Sequence, residues 1–67
     1  MAVTTPAAID NHHALEDAIA EVHDELYRLA DYMEAGNYNE ARDSKRSVEA
    51  YLTAIDQYIN TVAGQEE

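Results

Sequence analysis

The chain has 67 residues, no cysteine, and 14 Asp and Glu against 4 Lys and Arg, a formal net charge of −10. That length permits one domain with a small core, the missing cysteines exclude disulfide staples and thiolate metal sites, and the charge opposes direct binding to nucleic acid or to an anionic membrane surface. The opening residues Met1 to Pro6 carry neither the basic start nor the apolar run of a secretory leader, and no stretch reaches the roughly 18 apolar residues of a membrane span, so a cytoplasmic protein without a membrane segment is expected.

The first element is a helix over about 6–35. Apolar residues recur in steps of four and three at Leu15, Ile19, Val22, Leu26, Leu29 and Met33, the spacing that puts side chains on one face of a helix. No glycine or proline interrupts the stretch from Ala7 to Ala35, and Ala, Leu and Glu dominate it, so local propensity agrees with the pattern. Thr5 as N-cap with Pro6 at the first helical position is one start signal, and Asp10 is a later alternative.

A turn follows at 36–38. Gly36 can adopt the left-handed conformation that ends a helix, and Asn37 with Glu40 has the spacing of a capping box that starts the next one. The second helix, about 38–63, resumes the alternation at Ala41, Lys45, Val48, Leu52, Ile55, Ile59 and Val62, leaving a short acidic tail at 64–67. Lys45 interrupts this row, and its stem is expected to pack while its ammonium reaches Glu49 one turn on. A link this short forces the helices antiparallel. The fold class is therefore all-α, a single two-helix antiparallel hairpin spanning 1–67.

The string Gly36-Asn37-Tyr38-Asn39-Glu40-Ala41 resembles the turn inside a tetratricopeptide repeat, over six residues only. The plan of two long helices joined by a tight turn resembles the Rop-type hairpin, which implies dimerisation into a four-helix bundle. A Rop-type protein binds RNA through a partly basic face that this chain lacks, so the RNA-binding function is not carried over.

Energetics also favour pairing. A large aliphatic side chain contributes about 2 kcal/mol when fully buried, which two helices alone do not achieve, while ordering the chain opposes folding by roughly 1.5 kcal/mol per residue. A homodimer is expected, with Leu15, Ile19, Val22, Leu26, Leu29, Met33, Val48, Leu52, Ile55 and Ile59 in its interface, and with Tyr32, Tyr51 and Tyr58 flanking the seam as covers. Charge selects the arrangement. Between residues 26 and 46, Arg28, Arg42, Lys45 and Arg46 balance Asp31, Glu34, Glu40 and Asp43, so the net −10 lies toward the open end of the hairpin. Turns at opposite ends place each acidic half beside a neutral half, and turns together stack the two acidic ends.

No nucleophile-base spacing or glycine-rich phosphate loop can be assembled, so an enzyme is not expected. His12, His13 and His23 are the groups suited to proton chemistry near neutrality. Asp10-x-x-His13 and His13-x-x-x-Asp17 place potential ligands one turn apart, but inward-facing Glu-x-x-His, the usual bundle metal motif, is missing, and neither metal nor cofactor is expected. The expected function is binding to another protein with a basic surface, as an inhibitor or nucleic-acid-mimicking decoy of the phage-type anti-restriction or anti-CRISPR class. Glu16, Asp17, Glu21, Asp24, Tyr27 and Asp56 are its expected partner-binding residues, on outward faces. The alternative is a structural or adaptor homodimer whose helical face docks onto another protein, with acidity serving solubility or high-salt adaptation.

Overall fold

The computed structural model describes residues 8–65 and contains two α-helices, α1 (His12–Ala35) and α2 (Tyr38–Gln65), packed antiparallel along a rod of 48 × 16 × 15 Å. Helix α1 starts later than the sequence pattern indicates. Residues 8–10 are not helical, and Asn11, with extended backbone (φ −156°, ψ 169°), is the N-cap: its Oδ1 accepts from the Ala14 N–H at 2.8 Å. Its Nδ2 donates to Asp10 Oδ1 at 2.9 Å, so Asp10 supports the cap instead of forming it. Thr5 and Pro6 lie outside the described residues.

Gly36 ends α1 as expected, at φ 77° and ψ 14°. The Gly36 N–H donates to the Met33 carbonyl (3.2 Å) and the Asn37 N–H to the Tyr32 carbonyl (2.8 Å), the paired bonds of a Schellman ending. The Asn37 carbonyl already accepts from Ala41 N–H at 3.0 Å, so one residue closes α1 and opens α2. No side-chain capping-box bond between Asn37 and Glu40 forms among the described residues. Helix α2 runs through Gly64 to Gln65, past the expected end at 63. A glycine stops a helix cleanly when it takes a positive φ, and among the described residues only Gly36 does so. Glu66 and Glu67 of the expected tail lie outside the described residues.

The helices do not face one another through the large aliphatic row. The buried residues at their contact are Ala18 and Glu25 on α1 and Ala41, Ser44, Ser47 and Tyr51 on α2. Small side chains lie where the backbones approach, and no large side chain is fully buried among the described residues. The expected seam splits into two rows. Leu15, Val22, Leu29, Val48, Ile55 and Val62 are half-buried at the edge of the contact, whereas Ile19, Leu26, Met33, Leu52 and Ile59 remain 44–54% exposed. Tyr51, expected at the margin of a dimer interface, is buried inside the hairpin at 8% exposure. Among the described residues no helix is long and apolar enough to cross a membrane.

Candidate functional site

Two faces of the rod differ in chemistry. Successive helical residues are separated by about 100°, so the exposed row Ile19, Leu26, Met33, repeating every seventh residue, runs along one side of α1. Lys45, Leu52 and Ile59 repeat in the same way along α2. Both rows fall on one side of the hairpin. Near the turn a shallow groove is lined by Leu29, Met33, Tyr38, Ala41, Arg42 and Lys45, and near the open end another by His12, Leu15, Tyr58, Ile59, Val62 and Ala63, so aliphatic side chains from both helices share each groove with a few polar ones. Tyr38, 61% exposed, borders this face. Lys45 sits in the row with its Nζ 3.4 Å from Glu49 Oε1, the contact its spacing indicates, but its side chain is 64% exposed, so the stem is not packed away as expected.

The opposite side is polar. Asp17 and Glu21 border a groove together with Ala14, Ala18 and Tyr51, and Asp24 continues their line along α1. Glu16, Asp17, Glu21, Asp24 and Asp56 are all exposed, and Tyr27 is 74% exposed. The structure therefore brings Asp17, Glu21 and Asp24 onto one face, places Glu16 and Tyr27 on the outer edge of α1, and leaves Asp56 on the other helix. Glu21, Asp24 and Asp56 have no ion-pair partner among the described residues, while Glu16 and Asp17 face histidines: His12 Nε2 lies 3.0 Å from Glu16 Oε1 and His13 Nε2 3.8 Å from Asp17 Oδ2. Each of these is a local one-turn contact on the surface. No three potential metal ligands converge among the described residues.

One charged residue escaped the sequence reading. Glu25 occupies the helix contact at 7% exposure, and its Oε1 accepts a hydrogen bond from Arg28 Nη1 one turn on. That bond, and the carboxylate charge, push the Arg28 guanidinium further above its ordinary value and hold it ionised. Burial raises the Tyr51 phenol above its ordinary value, with Glu21 and Glu25 adding to the effect because a phenolate beside two carboxylates is disfavoured. The available signal for Glu25 was its place seven residues after Ala18, beside the apolar row, but the charge made an outward orientation the natural reading. Comparison with known proteins adds no relative: no protein-family model matches the chain, and no curated protein or solved structure is significantly similar to it.

Proposed function

We propose that this hairpin is a non-enzymatic protein-binding module that pairs with a second copy through its apolar face into a four-helix bundle and offers its acidic faces to a basic partner. The carrying observation is the segregation of the surface. Five half-exposed large aliphatics lie on one side of a rod whose other sides carry exposed carboxylates. An apolar strip of this kind gains most from a matching strip, and the carboxylates left outside suit a surface built to neutralise phosphates. The target class in this reading is a basic nucleic-acid-handling enzyme, inhibited by occupation of its groove. Glu16, Asp17, Glu21, Asp24 and Asp56 make the electrostatic contact and Tyr27 an aromatic one.

Plasmid cleavage by a panel of restriction and RNA-guided nucleases, measured with increasing hairpin, tests the reading. Inhibition competitive with DNA, weakening steeply with salt and abolished by the combined reversal Asp17→Lys, Glu21→Lys and Asp24→Lys, is the expected result. Inhibition that survives the reversal at unchanged strength would overturn the acidic-contact assignment. The adaptor reading draws on the same exposed row: an occupant other than a second copy would make the purified chain a monomer and its binding insensitive to salt.

A further inference from the structure

Lys45 is the one charged member of the exposed rows, in line with Leu52 and Ile59 on α2 and on the same face as Ile19, Leu26 and Met33 of α1. We infer that two copies stack these faces with their turns at opposite ends, α1 antiparallel on α1 and α2 antiparallel on α2, in a register that sets Lys45 of each copy against Asp56 of the other. This rests on the self-association proposed above and deepens it by fixing which helices meet, in which register and through which ion pair.

A second copy fits this face in area, since one long side of a 48 × 16 Å rod is comparable to the ~800 Å² that each partner contributes to a standard specific interface. A twofold axis that joins the two faces lies in the plane between them. Run across the rod, it puts the turns at opposite ends and leaves each helix over its own counterpart. Run along the rod, it puts the turns together and lays α1 over the other copy's α2. Within the hairpin, Met33 shares a groove with Ala41 and Leu15 shares one with Ile59, which sets α1 against α2 in level. The stripe from Leu15 to Met33 and the stripe from Ala41 to Ile59 therefore span the same levels and share a midpoint, between Val22 and Leu26 on α1 and between Val48 and Leu52 on α2. An axis across the rod at that midpoint brings Leu26 over the other copy's Val22, Met33 over Leu15, and Leu52 over Val48. All five exposed large aliphatics of the face are then covered.

Charge selects this axis over the other. Asp56 follows Lys45 by three helical turns, so the two share one side of α2, and the register sets Asp56 of one copy within a residue's rise of the other copy's Lys45. Arg42, one turn before Lys45, lines the same groove. Within its own chain Asp56 has no ion-pair partner among the described residues, and the Lys45 ammonium contacts Glu49 in solvent. With the turns together Lys45 would lie level with the other copy's Leu29, covered without a carboxylate, and Asp56 would come near Glu16. The acidic open ends would also coincide. Stacking α1 on α1 brings Glu16 near the other copy's Glu34, but on the outer edge, where salt screens the repulsion. In this pose Asp56 is held by the dimer, and contact with a basic partner falls to Glu16, Asp17, Glu21 and Asp24.

Lys45→Glu and Asp56→Lys should each weaken the dimer several-fold in sedimentation equilibrium. Mixed, the two variants should form the heterodimer preferentially, because it alone pairs opposite charges at both sites. Lys45→Glu mixed with Asp24→Lys has the same net charges with the second reversal on the opposite face, and should show no such preference. Equal preference in the two mixtures would overturn the ion pair. The chain has no cysteine of its own, so introduced thiols report the stacking. Under mild oxidation tagged Leu26→Cys should link to untagged Val22→Cys, because level positions on facing helices bring Cα atoms within the roughly 4.4–6.8 Å a disulfide spans. It should not link to Val48→Cys, its level counterpart if the turns lie together. Met33→Cys with Leu15→Cys is a second, independent pair should the first weaken association. Linking to Val48→Cys would overturn the register, as would failure of both pairs to link while light scattering shows a dimer, with self-association left standing. A monomer at all concentrations would remove both.

Discussion

Leu52→Ala separates the hairpin's own packing from what its apolar face does. Leu52 keeps 52% of its surface exposed, so about half of its transfer free energy is still to be gained on association. Removing three carbons at about 0.8 kcal/mol each, half of it already realised in the hairpin, costs about 1 kcal/mol per copy at the interface. A symmetric dimer contains the site twice, so the loss is about 2 kcal/mol, close to 30-fold in Kd. Sedimentation equilibrium over a concentration series measures that ratio, and circular dichroism at high concentration confirms that helicity is retained. Tyr27→Ala is the matched control: at 74% exposure on the outer edge it should leave the dimer constant unchanged. Equal effects of the two substitutions, or no effect of Leu52→Ala, would refute the assignment of the exposed row to self-association.

Other consequences follow from the hairpin itself. Arg28→Met removes the hydrogen-bond donor of the buried Glu25 carboxylate and should lower the midpoint of a thermal or urea melt more than Arg46→Met, which loses only the longer 3.9 Å contact with Asp43. Gly36→Ala meets no atom within 4 Å, so only the left-handed backbone is penalised and the loss should be about 1–2 kcal/mol. Since the folded state holds the Tyr51 phenol above its ordinary value of 10.0, the folded chain binds the proton more tightly than the unfolded chain. The Tyr51 contribution to stability is therefore full below pH 10 and is lost as the pH rises through the raised value. Melts at pH 9 and pH 11 should show this loss in the native chain and a smaller one in Tyr51→Phe.

The two helices and their turn were legible because their signals are local. The four-three spacing, the uninterrupted helix formers and a glycine at the only described position with positive φ each act within a few residues. The Lys45–Glu49 pair was legible for the same reason, being one turn of one helix. The start of α1 was misplaced because several polar residues near it can cap, and Asn11 won over Asp10 by directing its side-chain oxygen at the Ala14 N–H. The carboxylates Asp17, Glu21 and Asp24 share a side of α1 as their spacing requires, while the inward turn of Glu25 depended on a neighbour, Arg28, able to satisfy it.

Which side of each helix turns inward was decided by the tertiary structure. A helix that touches two neighbours carries an apolar stripe too wide for one contact, and the sequence pattern marks the stripe without dividing it. In this hairpin the helices spend the small half of the stripe on each other, since Ala18, Ala41, Ser44 and Ser47 let the backbones approach and Tyr51 fills the space beside them. The large half, Ile19, Leu26, Met33, Leu52 and Ile59, is left on the outside. Periodicity alone therefore determined that the chain is two paired helices. Only the packing of the pair showed which residues are consumed by the fold and which stay exposed, because that division depends on side-chain size across the contact and not on spacing along the chain.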